Sequence, residues 1–360
     1  MAHEIWSERF AEREGKGAAW HGLGLSFGED EKITASEALT LAGGDFTMDK
    51  VPAFVTLPSG EELSTGEYYI YRNEHTYNGI TDPGAIVGGP VSKDYGIIQN
   101  SDIAAAVDNL AKEWPVETVG SLRDGQKLFI TLHGEKFAIK GDDAHELYFC
   151  ISDSKSGKES LKIFLTGVRI VCSNTLRLGD MSSELKIKIG HDPNALRQVG
   201  FWTDTIPAMK AAQQRTREAL ELLADTKATK REVELIFNKA FPLPKTPAKM
   251  KMVNDNALSL SADHKELVDR DIAQFDYFRG RTEAIQALAW ERYDIHNQEH
   301  TATAGTLFAA AQASNEVSCW RKGHSETLDS QIFDGARGDE SDRAFTTAYN
   351  IATKGYAKSL

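Results

Sequence analysis

The sequence predicts an α+β fold: an antiparallel β-meander sheet in the N-terminal half with helices packed on one face, and a helical C-terminal half. Three observations predict it. Between residues 127 and 189, β-branched and aromatic runs alternate with polar, glycine-bearing turns, the spacing of antiparallel hairpins. From Pro207 onward, apolar residues recur every three or four positions, the period of an amphipathic helix. Strands come first and helices second, unlike the strand-helix alternation of a parallel sheet. The expected organisation is a mixed core over residues 1–200 and a mainly helical region over 201–360.

Taken in order, residues 1 to about 65 read as irregular, broken by Gly22, Gly24, Gly43 and Gly44. One helix is expected there, Ala35–Ala42, because Thr34 and Glu37 have capping-box spacing. Tyr68–Tyr71 is strongly β-prone, and Asn78-Gly79 is a hairpin signal. The expected pair is Glu67–Arg72 with Thr76–Thr81. Tyr95–Asn100 reads as a short strand. Ser101 and Asp102 then open a helix carrying Ile103, Val107 and Leu110 on one stripe, stopped at Pro115.

The meander follows. Lys127–His133 is expected to turn at Gly134 into Glu135–Lys140. Glu146–Ser152 is expected to meet Leu161–Val171 across the polar loop Asp153–Glu159, with Gly167 marking a bulge or bend. Leu185–Ile189 reads as a further strand. Helices are expected over Pro207–Phe241, broken at Thr226 and restarted by a Thr229/Glu232 capping box. Phe241-Pro-Leu-Pro-Lys-Thr-Pro247 is the strongest breaker in the chain. Further helices are expected over Lys265–Tyr293, His300–Ala313 and Arg343–Ala352, with Gly335–Asp342 as a loop.

The 360 residues are 41% hydrophobic and 26% charged, with the charges interleaved, which fits globular domains and not a disordered chain. No stretch approaches the roughly 20 apolar residues that cross a bilayer. The polar start Met1–Phe10 is not a secretory signal, and Cys150, Cys172 and Cys319 have no metal or disulfide spacing. These features point to the cytoplasm, with no membrane partner. The net charge of −12 argues against a surface that coats nucleic acid everywhere. It leaves room for a local basic groove. Between Thr226 and Met252, Lys227, Lys230, Arg231, Lys239, Lys245, Lys249 and Lys251 face only Glu232 and Glu234, a net of +5.

Phosphate-cradling glycine loops and the Gly-x-Ser-x-Gly elbow are absent. His296-Asn-Gln-Glu299-His300 has the order of inverted zinc peptidases, but five matching residues in a long chain arise readily by chance. Asp180 and Glu184 near Arg169 are the other candidate acids of a metal-dependent hydrolase or nuclease. The stretch from Thr166 to Leu176 is the more informative block: a strand that ends in Ser-Asn-Thr and carries Arg169 and Asn174 on the way out. With Arg177, Lys186 and Lys188 it forms a cationic group, and Tyr68, Tyr69, Tyr71 and Tyr77 near Arg72 add rings. Cations with stacking rings suit single-stranded nucleic acid.

Five blocks carry a resemblance: Trp20–Gly24, Val91–Asn100, Val168–Leu176, Ile189-Gly-His191 and Thr301–Ala310. Together they resemble the uncharacterised phage/plasmid-like proteins, a domain of unknown function spread through phages, prophages and plasmids. The resemblance implies a mobile-element setting and no particular reaction. The strand-then-helix order is also similar to strand-annealing proteins of the Red-beta group. The expected function is single-stranded DNA binding or strand annealing by a homo-oligomer, without catalytic residues, cofactor or metal. The expected nucleic-acid contacts are Arg169, Asn174, Arg177, Lys186, Lys188, Lys227, Lys230, Arg231, Lys245, Lys249 and Lys251. The alternatives are a host-defence inhibitor that mimics DNA and the metal-dependent hydrolase.

Overall fold

The computed structural model describes residues 5–14, 25–141, 143–169, 174–177, 187–246, 262–321 and 336–359. They form two compact units, the first running to Glu218 and the second starting at Ala219. The fold is mixed α+β, with antiparallel sheets in the N-terminal half and helices in the C-terminal half.

The first unit opens with β1 (Ile5–Arg13) and β2 (Leu25–Phe27), then helix α1 (Ala35–Leu41). The capping box at Thr34 and Glu37 is present: the Thr34 hydroxyl accepts from the Glu37 N–H, and the Glu37 carboxylate accepts from the Thr34 N–H. Next come β3 (Met48–Thr56), β4 (Glu62–Arg72), β5 (His75–Tyr77), β6 (Ile80–Asp82) and β7 (Ala85–Val91). The expected pairing of Glu67–Arg72 with Thr76–Thr81 does not form. Asn78-Gly79 turns its own short hairpin, β5 with β6, while β4 pairs with β3 and β7. The tyrosine run is therefore the middle of a three-stranded sheet, over a core of Phe46, Met48, Ile70, Val87 and Val91. Region 1–65 is also more regular than its glycines suggest, since β1, β2, all of β3 and the start of β4 lie in it.

Tyr95–Gln99 is not a strand. It is a loop that leads into α2 (Asn100–Leu110), whose Ile103, Val107 and Leu110 are fully buried. The main sheet then builds from β8 (Val116–Leu122), β9 (Lys127–Ile139), β10 (Asp143–Ser154), β11 (Leu161–Arg169), β12 (Asn174–Arg177) and β13 (Ile187–Ile189). Its order is β12-β11-β10-β9-β8-β1-β2, with β13 also on β11. Every pair is antiparallel except β1 with β2.

No hairpin turns at Gly134, because β9 runs unbroken through it. A Cβ there would lie 2.4 Å from Gln213 Nε2 and 2.8 Å from the Leu147 carbonyl oxygen. The glycine answers a close approach, not a turn. The turn between β9 and β10 comes later, where Lys140 and Gly141 both have positive φ. The bulge expected at Gly167 is also missing, for the β10–β11 register passes through it unshifted. Successive residues Leu128 to Leu132 are at most 2% exposed. Neighbours on a strand point to opposite faces, so both faces are covered here and the alternation that marks a half-buried strand is lost.

Helix α3 (Ala195–Val199) and α4 (Ile206–Asp225) complete the first unit, whose boundary falls within α4. The second unit holds α5 (Lys230–Ala240), α6 (Ala262–Glu299), α7 (Leu307–Trp320) and α8 (Ala336–Lys354). The Thr229/Glu232 capping box starts α5 as expected. Ala309, Ala310, Ala311 and Ala313 on α7 are at most 1% exposed, small enough for neighbouring helices to approach closely. Residues 336–342 belong to α8, not to a loop. Arg337 donates to the carbonyls of Ser318 and Arg321, and Glu340 pairs with both Arg321 guanidinium nitrogens at 2.5 and 2.7 Å. These bonds tie the start of α8 to the end of α7, whose last carbonyls need partners.

Candidate functional site

The expected nucleic-acid contacts fall into separate groups. In the first unit, β12 and β13 both pair with β11. Lys188 stands opposite Lys162, Arg177 opposite Thr166 and Asn174 opposite Arg169. Asn174 was expected in a turn after the strand, but it lies within β12. Lys188 is exposed, while Lys162 has Glu159 at 4.0 Å. Along β11 the positions from Lys162 to Arg169 span about 24 Å at the usual strand rise. In the second unit, Lys227 donates to the Ala304 carbonyl at 2.7 Å, so it serves the junction before α5. Lys230 and Arg231 are exposed in the first turn of α5, and Lys245 is exposed after it. Lys186, Lys249 and Lys251 lie outside the described residues, as do Cys172, Asp180 and Glu184.

The tyrosine group does not join the β11 edge. Tyr68, Tyr69 and Tyr71 are half-buried in β4. Arg72 is 3% exposed and donates to the Pro83 carbonyl. The Tyr77 hydroxyl donates to the Leu41 carbonyl, and the Arg9 guanidinium sits 4.1 Å above its ring. These side chains hold the small sheets in place.

The main sheet also floors a cleft of about 1030 Å³ that sequence reasoning missed entirely. Its floor comes from Arg13 at the end of β1, Glu117 on β8, His133 and Lys136 on β9, and Glu146 and Tyr148 on β10. Residues 29–34 and the end of α2 wall it. Glu146 is the anchored member. Lys136 Nζ lies 2.5 Å from its Oε1, and the Tyr148 hydroxyl donates to its other oxygen. Burial pushes the Glu146 carboxyl up, but the Lys136 and Tyr148 bonds and nearby charges outweigh it, leaving it below the ordinary value. His133 Nε2 is 3.9 Å from Glu146 Oε1, too long for a hydrogen bond. Burial holds the His133 imidazole below its ordinary value. The Tyr148 phenol is pushed up, by burial first and then by Glu146.

Glu117 is in the opposite situation. Burial pushes its carboxyl up to about 7, opposed by Arg13 and reinforced by Glu146. Arg13 Nε is 3.8 Å away, and its guanidinium is committed to the carbonyls of Val116, Gly28, Glu29 and Glu31. Two carboxyls in one cleft thus have environments that push them in opposite directions. The false hairpin at Gly134 hid this. It split β9 between His133 and Lys136 and erased the register that sets His133 beside Tyr148 and Lys136 beside Glu146.

A family profile described as a domain of unknown function (DUF932) matches residues 88–344, well over half of the chain. The chain belongs to the DUF932 family. No curated protein and no solved structure matches it. The DUF932 match starts within β7 and takes in β8 to β13, so it covers both the β11 edge and most of the cleft floor, though not Arg13.

Within the DUF932 domain, two of the blocks singled out in the sequence meet. Tyr95 stacks on His191 with ring centroids 4.7 Å apart, and Gly96 and His191 exchange two hydrogen bonds, Gly96 N to His191 O and His191 Nδ1 with Gly96 O. His191 Nε2 lies 3.0 Å from Asp153, which also pairs with Lys155, and both Asp153 and Lys155 are fully buried. Burial pushes the Asp153 carboxyl up, but Lys155 and His191 more than reverse it, so it sits below the ordinary value. Lys155 also donates to the Ile98 carbonyl at 2.5 Å. This cluster pins the loop 95–99 and the turn at His191 to the end of β10. Elsewhere in the DUF932 domain, His296 Nε2 is 3.0 Å from Thr303 Oγ1 and 4% exposed, while Glu299 is exposed at the end of α6. Among the described residues, no group of three or more His, Cys, Asp and Glu side chains is placed to hold a metal ion.

Proposed function

We propose that the protein is a single-stranded DNA-binding or strand-annealing protein of phages, plasmids and related mobile elements, without catalytic residues. It works in the cytoplasm of the bacterial host as a homo-oligomer. One observation carries the reading. The three strands at the edge of the main sheet, β11, β12 and β13, contain Lys162, Arg169, Arg177 and Lys188 and no acidic residue, in a chain whose net charge is −12. Lys188, exposed and directly opposite Lys162 across β11 and β13, offers its charge to a polyanion on that edge. By register the Lys162, Lys188 and Arg177 positions share one face of the sheet and Arg169 the other, and the row from Lys162 to the Thr166 position opposite Arg177 spans about 13 Å, room for a few phosphates of an extended strand. The exposed Lys230, Arg231 and Lys245 of the second unit offer additional phosphate contacts.

Fluorescence anisotropy with a labelled thymidine oligonucleotide tests this. Binding should weaken steeply with salt, with a log-log slope of about −0.7 per phosphate contact. Lys162→Ala with Lys188→Ala should flatten that slope and weaken binding. A protein that ignores the oligonucleotide at low salt is not a DNA-binding protein, and the DNA-mimic reading then takes its place.

A further inference from the structure

The cleft floor leaves one carboxyl without a proper partner. Among the described residues, Glu117 makes no hydrogen bond, and the cation nearest to it is turned toward backbone carbonyls. The second floor cation, Lys136, is taken by Glu146. The lining as a whole is acidic, with seven Asp and Glu residues against Arg13, Lys32, Lys112 and Lys136. Ala111, at the C-terminal cap of α2, lines the cleft beside Lys112, whose ammonium donates to Asn109 Oδ1 at 2.9 Å. Glu29, Asp30 and Glu31 border the opening. The volume of about 1030 Å³ lies at the upper end for small-molecule sites.

We propose that this cleft is a binding site for a small organic cation, a primary amine or amidinium, seated between Glu117 and Glu146 beneath the C-terminal end of α2. The positive group gives Glu117 the close pairing that Arg13, 3.8 Å away, leaves open, and His133 Nε2, buried and without a hydrogen bond, is available to a polar group of the same ligand. The charged groups that act on Glu117 are Glu12 and Arg13 on β1, Lys136 on β9 and Glu146 on β10, while His133 on β9, Asp108 on α2 and Lys112 just after α2 line the same cleft. A bound cation favours the ionised Glu117, so binding should release protons near pH 7 and tighten as pH rises from 6 to 8. This inference is independent of the DNA edge.

Isothermal titration calorimetry with agmatine as the probe tests it, run in two buffers of different ionisation enthalpy. The expected result is saturable 1:1 binding with proton release at pH 7. Glu117→Gln should bind about tenfold or more weakly and lose the proton release. A thermal melt shows that the variant is folded, and Glu146→Gln serves as a second variant with the same expected loss. Three results overturn the proposal: no saturable agmatine binding at millimolar concentration, unchanged binding in folded Glu117→Gln, or equal binding of neutral 1,5-pentanediol or anionic glutarate.

Discussion

At the scale of the residue, Glu117 and Gly134 show how burial redefines a side chain. The Glu117 carboxyl titrates near 7 in the fold against an ordinary value of 4.5. Its native environment prefers the neutral acid, so its contribution to stability is fully present below about pH 4.5 and is lost as pH rises through 7. Glu117→Gln should therefore match the wild type in acid and exceed it at pH 8. The expected gain is about 2 kcal/mol after allowance for solvent screening, or roughly 5 °C in melting temperature. Melts at pH 4.5 and pH 8 check this, and equal differences at both would mean that the carboxyl is not destabilised by burial. At Gly134, the close Leu147 carbonyl leaves no room for a methyl group. Gly134→Ala should cost about 1–3 kcal/mol, read from denaturant midpoints.

At the scale of the element, local signals were legible wherever the chain's own neighbours decide the structure. The boxes at Thr34/Glu37 and Thr229/Glu232 both form, because a cap needs only four consecutive residues. Thr229→Ala should cost about 1 kcal/mol and loosen the start of α5, measurable as faster amide exchange in residues 230–233. Protection left unchanged there would show that packing of Val233, Ile236 and Phe237 holds the helix without its cap. Signals failed where a distant segment decides. Tyr95–Asn100 has strand-like composition, yet His191 and Asp153 hold Tyr95–Gln99 as a loop, and no local pattern reports a partner 95 residues away. The polar run 336–342 looks like a loop because its Arg and Glu residues serve α7 and not their own helix.

At the scale of the whole molecule, a chain of net charge −12 places Lys162, Arg169, Arg177 and Lys188 in three strands that contain no acidic residue and gathers carboxyls around one cleft. The two sites call for opposite ligands. The proposed DNA binding predicts assembly as well as affinity. Light scattering coupled to size-exclusion chromatography, with and without the thymidine oligonucleotide, should show a homo-oligomer that takes up the strand. A monomer that elutes apart from the oligonucleotide would count against both halves of the reading. None of the described helices is long and apolar enough to cross a membrane.

The sequence alone determined the α+β class, the strand-first order, the helix caps and the break that ends α5 at Ala240, because each rests on local periodicity or on a few adjacent residues. Tertiary structure decided the course of β9, the pairing of the tyrosine strand and the cleft. The floor of that cleft draws on Arg13, Glu117, His133 and Glu146 from four strands, so only the register of the folded sheet makes them neighbours. Burial then sets their protonation, and burial is a property of the surroundings that a linear pattern does not contain.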